Sequence, residues 1–457
     1  MKLLTALFGT MLLVALAAPP GTLAAPPSTQ AAAVDAQGAP DFELPAVQLR
    51  IVLGRALGEH AFLVIEAMRT SAQAGPETDA AAAALEENTA EIEALVASVL
   101  SEGEAAAFGD QWRNHVAYLV DYARAVSGGD EDAAELAESQ LATYADEFSS
   151  LLLEAFPSLP SHAVEELVGE HVAQLEQVTD LAGGDYESAY SAIRDTYAHM
   201  FAIADGLTVG ITARADNALE GRETALSRAV DLRMTLDRLF GEHTYLAAIV
   251  MRGRVKEAPY LDAAIASLAR NSLELAEQVS TIYGADAGAA FEALWSRHTT
   301  LYVEYVDATT TDDEESQQAA LSGLATYRSD FSAFLADANP LIDAAALERL
   351  LEAHTGHLVE QVGAYAGADY GRAYGMLREA YAQTEELSSG LAGAIADQFP
   401  QLFPDTAVPP TLPHPDIETW PSVFGFVLVA WATGLAVHRA RAHDARFLWR
   451  RRGGAIS

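Results

Sequence analysis

One stretch of this chain is written twice, and that duplication limits what the rest can fold into. Residues 49–68 read LRIVLGRALGEHAFLVIEAM, and residues 232–251 read LRMTLDRLFGEHTYLAAIVM. Both open with Leu-Arg, carry Gly-Glu-His at the same place and end in Met. The histidines set the offset, 243 − 60 = 183, and later pairs keep it. Asn88 matches Asn271, Trp112 matches Trp295, His115 matches His298, Tyr144 matches Tyr327, Phe148 matches Phe331 and His171 matches His354. A period held over this much chain means two copies of one module. Chemistry is therefore sought first among positions that both copies kept.

The module is helical. Leu49, Val52, Leu53, Ala56, Leu57, His60 and Val64 follow the i, i+3, i+4, i+7 spacing of a helix with one apolar face. Gly75-Pro76 stops that helix. Four more are expected near 78–100, 104–126, 131–155 and from Ser161, a candidate N-cap, to Gly183. Asp185 caps a sixth. That sixth helix either runs on into the second copy as a long shared connector or breaks near 216–221. The second copy repeats the plan near 226–255, 260–283, 287–309, 314–338, 343–366 and 370–396. Alanine-rich composition favours helix, and nothing between Phe42 and Phe399 alternates as a strand does. The expected fold is all-α: two tandem up-and-down bundles of about six helices each, at 42–219 and 220–399, plus one C-terminal transmembrane helix.

The flanks argue for an envelope protein. Residues 3–18 are apolar behind Lys2 and lead into AAPPGTLAAPP, which reads as a secretory signal within 1–25. Residues 26–41 read as a disordered Pro/Ala/Gln linker and 400–420 as a stiff proline-rich one. Residues 421–438 are just long enough to span a bilayer. Behind them, Arg439, Arg441, Arg446, Arg450, Arg451 and Arg452 place the tail, 439–457, in the cytoplasm. The alternative, a processed sorting signal, lacks an LPxTG-type motif. The expected location is the cell membrane, single pass, with the bulk of the chain extracytoplasmic. A net charge of −38 excludes nucleic acid as a partner. With no cysteine, thiolate chemistry and zinc-thiolate sites are excluded too.

Of twelve histidines, four in the first copy continue apolar stripes: His60, His115, His171 and His199, one each on the first, third, fifth and sixth helices. Each sits midway along its helix, so at ~1.5 Å per residue a shared level is within reach. Imidazole suits copper, zinc, iron and nickel, and facing helices of a bundle are a usual place for such ions. Glu59, Asn88, Asp195 and Asp205 are candidates to orient the rings. Glu59 cannot reach His60 directly, because sequence neighbours on a helix point apart. In the second copy His243, His298 and His354 persist. One inserted residue shifts the later register, 369 − 185 = 184, and sets Gln383 opposite His199 and Ser389 opposite Asp205. The fourth ligand is thus lost there unless His357 replaces it. The plain alternative is that all these rings are packed core residues, as Trp112, Trp295, Tyr122 and Tyr305 are.

Other chemistries have less behind them. There is no glycine-rich phosphate loop after a strand, no GxSxG elbow, no HExxH and no ExxH pair. His162 is expected to be exposed, and His414, His438 and His443 belong to linker and tail.

Glu59-His60, Trp112-x-x-His115, His171, Gly184-Asp185-Tyr186 and Tyr197-Ala198-His199-Met200 together resemble an uncharacterised family of secreted bacterial helical-bundle proteins with no assigned activity. The resemblance covers about 49–211 and, more weakly, 232–395. It implies the helical fold and adds no activity. The function expected from these readings is a membrane-tethered, non-enzymatic bundle protein binding a transition metal ion (copper, zinc or iron) through His60, His115, His171 and His199, and His243, His298 and His354. The alternative is a structural or protein-interaction module of the envelope, its protein partner unspecified; a metal-assisted oxidoreductase ranks third.

Overall fold

The computed structural model describes residues 41–214 and 219–403, and these are helical throughout, with no strand among them. The first copy supplies α1 (Pro45–Gln73), α2 (Thr78–Val99), α3 (Glu102–Gly128), α4 (Glu131–Ala155), α5 (Ser161–Leu181) and α6 (Tyr186–Ala213). A one-turn helix, α7 (Arg222–Ala225), follows. The second copy supplies α8 (Arg228–Val255), α9 (Leu261–Tyr283), α10 (Ala285–Thr310), α11 (Glu314–Ala338), α12 (Ala344–Ala366) and α13 (Tyr370–Gln398).

Local chemistry accounts for most boundaries. Pro45 occupies the first turn of α1, where its missing N–H costs nothing. Ser101 and Glu104 form a reciprocal capping box on α3. Asp130, Asp185, Asp313, Asp343 and Asp369 each accept from a backbone N–H in the first turn of the helix that follows. Ser161 is not a cap: Pro160 occupies that position, and no side chain bonds the end. The connector is not one long helix either. α6 ends at Ala213 with Arg214 extended, and Gly221 at φ 89° turns the chain ahead of α7. A side chain at Gly221 would also strike Leu44, so glycine is required there twice over.

Within each copy, successive helices pack on one another, and the sixth returns to the first: α6 lies along α1, and α13 along α8. The copies are not strung out. α1 packs on α8, α13 on α2 and α6 on α9, a reciprocal arrangement in which equivalent helices make equivalent contacts. The larger apolar core runs through both copies, and a smaller cluster around Met251, Tyr302, Val306 and Val362 lies within the second.

This placement overturns the single apolar face expected for the first helix. α1 and α8 are buried on nearly every side, because each is enclosed by its own copy and by the other. Their polar residues are consequently paired. Arg50 binds Asp205 and Asp231, while Arg55 and Arg233 meet on Asp237, which is fully buried. Among the described residues no helix is long and apolar enough to cross a membrane. The segments read as signal, linkers, span and basic tail lie outside the described residues, apart from the linker ends Asp41 and 400–403.

Candidate metal centre

Gly-Glu-His on α1 and α8 is explained residue by residue. A Cβ on Gly58 would come within 2.8 Å of Phe201 and 2.9 Å of Tyr197, and on Gly241 within 2.5 Å of both Tyr197 and Tyr381. Glycine here lets the sixth helix of each copy lie close against the central pair. Glu59 and Glu242, buried beside the histidines, accept from Asn88 at 3.1 Å and Asn271 at 2.8 Å.

In the second copy the asparagine orients the ring. The Asn271 amide nitrogen donates to Leu239 O at 2.9 Å as well as to Glu242, so its oxygen faces His243 Nδ1, 3.2 Å away. An oxygen in that position requires the proton on Nδ1, which leaves Nε2 with a bare lone pair. Asn88 is fixed the same way, by Ala56 O and Glu59, but there the contact is not closed: neither Asn88 Oδ1 nor His60 Nδ1 has a hydrogen-bond partner. The Nε2 atoms then face a second histidine from the third helix of the copy: His60 to His115 at 3.3 Å, His243 to His298 at 3.2 Å. Beside His115 stand the carbonyls of Trp112 and Gln111, and beside His298 that of Trp295. Neither His115 Nδ1 nor His298 Nδ1 makes a hydrogen bond.

In the first copy a third ring closes the group. The ligand atoms of His60, His115 and His171 lie within 4.8 Å of one another, and all three rings are buried. Neither nitrogen of His171 has a hydrogen-bond partner. Aromatic walls surround the pair in both copies. Trp112 lies 4.5 Å from His60 and 4.8 Å from His115, with Tyr144 stacked on His115 at 4.9 Å. Trp295 lies 4.8 Å from His243 and 4.4 Å from His298, with Tyr327 stacked on His298 at 4.9 Å.

Burial keeps these rings neutral at pH 7. It pushes His115 down to about 4 against the pull of the two carbonyls. Burial, then the neighbouring imidazoles, hold His60 and His171 well below the ordinary value. In the second copy His243 falls to about 3 and His354 to about 4, and His298 lies well below normal; burial is the main cause for each.

His199 stands apart. Its Nε2 bonds Leu167 O at 2.8 Å, an anchor between α6 and α5. Gln383 does the same for the second copy, reaching Leu350 O at 3.3 Å. The exchange of His for Gln is thus a change of donor on one carbonyl, and the expected fourth ligand is absent from the group. His357 faces Glu379 at 3.3 Å near the surface and does not replace it. Of the expected orienting residues, Asn88 and Glu59 bond each other, and neither bonds His60. Asp205 belongs to Arg50. Asp195 is raised to about 6 by burial and lies among Arg194, Glu242 and Arg270. His162 is exposed.

Sequence reading missed the anchors from the opposite copy. Arg378 donates to Glu59 through Nε at 3.2 Å and Nη2 at 3.1 Å; Arg194 donates to Glu242 at 2.9 and 3.0 Å. The signal existed: these arginines match once the offset becomes 184, as do Tyr197 and Tyr381.

Fold and site together define an all-helical protein with a duplicated, aromatic-walled histidine cluster. No family model matches the chain, and neither does any curated protein or solved structure.

Proposed function

We propose that this protein binds transition metal ions, through His60, His115 and His171 in the first copy and His243, His298 and His354 in the second. His171 carries the reading. A buried polar group without a partner costs about 1–3 kcal/mol, and His171 has two such nitrogens. A histidine pair sharing one proton would account for the contact of His60 and His115 but leaves the third ring unexplained. The His60–His115 spacing also fits: ligand bonds of ~2.0–2.1 Å at tetrahedral angles put nitrogens ~3.3–3.4 Å apart, against 3.3 Å for this pair, with the three ligand atoms within 4.8 Å of one another. A set of imidazoles with no thiolate or buried carboxylate ligand suits copper, zinc or iron.

The wider reading is a non-enzymatic protein of the cell envelope: two tandem up-and-down six-helix bundles, secreted by 1–25 and tethered through 421–438. It is supported by the apolar runs, the arginines behind the second run and the resemblance described above.

Elemental analysis of the purified full chain, dialysed against zinc, copper, nickel and iron in turn, tests the metal reading. Near-stoichiometric uptake is expected, together with a higher melting temperature. His171→Leu, which removes the unpartnered nitrogens while keeping an apolar side chain in place, should abolish uptake in the first copy without unfolding the protein. If the unaltered chain takes up none of the four and its melting point does not move, the packed-core alternative replaces the metal one.

A further inference from the structure

The two histidine groups are walled differently, and the difference runs one way. Around the first, the matched positions are Ala61, Leu119, Val172 and Met200, all buried. Around the second they are Thr244, Tyr302, Thr355 and Thr384. Four apolar side chains have become four hydroxyl-bearing ones. These residues, with His243, His298, His354 and Gln383, line a cavity of about 60 Å³. At ~30 Å³ of liquid volume per water, that holds about two water-sized molecules.

The cavity's polar groups await a partner. Tyr302 is 4% exposed, and its hydroxyl bonds to nothing. The Gln383 carbonyl oxygen is likewise buried and unpartnered. The three threonines donate to carbonyls of their own helices, those of Phe240, Leu351 and Tyr381; Thr384 Oγ1 also accepts from Arg55 at 3.3 Å, and the oxygens of Thr244 and Thr355 keep lone pairs available to accept. An unmade hydrogen bond at the buried Tyr302 hydroxyl is destabilising. An apolar wall, as the first copy has, would avoid that cost. The three histidines also fail to close into a group as tight as the first copy's, the sole one of its kind among the described residues.

The geometry points to an open second site: the ion held by His243, His298 and His354 takes one further ligand from the cavity, a small lone-pair donor such as water or a compact anion, to which the Tyr302 hydroxyl donates. The first site is closed to such ligands. This rests on the metal reading, and the two fail separately in the following experiment.

The full chain is stripped of metal and loaded with Co(II), whose visible bands report its ligands, and azide is titrated in. The unaltered chain and His171→Leu should both give a saturable azide-dependent band. Thr244→Ala/Tyr302→Leu/Thr355→Val/Thr384→Met rewrites the second wall as the first. It should still take Co(II) with at least tenfold weaker azide affinity. Tyr302→Phe, which removes one oxygen that bonds to nothing in the protein, should weaken azide several-fold and serves if the fourfold variant does not fold. Equal azide affinity in the unaltered chain and in these wall variants, or no azide response anywhere despite bound Co(II), overturns the open site and leaves the metal reading standing. Absence of Co(II) binding overturns both.

Discussion

Glu59, the residue before His60, is clamped by Arg378 of the other copy, with nitrogens at 3.1 and 3.2 Å from its carboxylate oxygens. Glu242 and Arg194 repeat the relationship in the opposite direction. His243 is therefore tied to an arginine of the copy it does not belong to, by way of Glu242 and Asn271, and in the first copy the same chain runs from Arg378 through Glu59 to Asn88. Duplication here has produced an internal pseudo-dimer whose interface supports both sites.

Removing one member of such a buried pair leaves a charge without its partner. Arg194→Met should destabilise the protein by about 3–5 kcal/mol, because Glu242 is fully buried. Glu242→Gln combined with Arg194→Met should recover part of that loss. Urea unfolding of the two single variants and the double gives the coupling; strictly additive effects would show that the pair does not act as a unit.

Gly58→Ala and Gly241→Ala should each cost about 1–3 kcal/mol through overpacking. Gly241 should be the worse, since its added carbon would lie 2.5 Å from two tyrosines. Melting temperatures of both variants check the order. In Gly241→Ala the groups that must move are Tyr197 and Tyr381, whose hydroxyls meet at 3.4 Å, and in Gly58→Ala they are Phe201 and Tyr197.

His199→Gln should be nearly silent. The second copy already carries Gln383 in this role, donating to the matched carbonyl. A stability change within about 1 kcal/mol and unchanged metal stoichiometry are expected, since the substitution keeps a donor for Leu167 O. Loss of metal in this variant would return His199 to the ligand set.

Acid should destabilise the metal-free protein in a defined window. The cluster rings have folded pKa values below their unfolded value of 6.5, about 4 for His115 and His354 and about 3 for His243. Stability from the neutral rings is present above pH 6.5. It is lost as pH falls toward 4, because the unfolded chain takes up protons that the folded one refuses. At ~1.4 kcal/mol per unit, His115 alone accounts for up to about 3 kcal/mol. Circular dichroism melts between pH 8 and 4 should show a flat region above 7 and a steep fall below 6.5; a flat profile to pH 5 would contradict the buried, neutral rings.

Much of the local structure was legible in the chain. Helix ends followed from Asp caps, glycines and prolines, which act through bonds and sterics within a few residues. The repeated His60, His115 and His171 positions followed from the 183-residue offset, because a register kept through duplication exposes what both copies retain. What the helices do to one another was decided only by the tertiary fold. Periodicity marked an apolar face on α1 but could not reveal that a second copy covers the remaining faces. Nor could it tell His199, turned to a backbone carbonyl, from three rings turned to each other, since all four lie on equally apolar stripes. Which way an inward ring points, and whose arginine steadies the residue beside it, depends on contacts between segments far apart in sequence, and those exist only once the two copies have closed on each other.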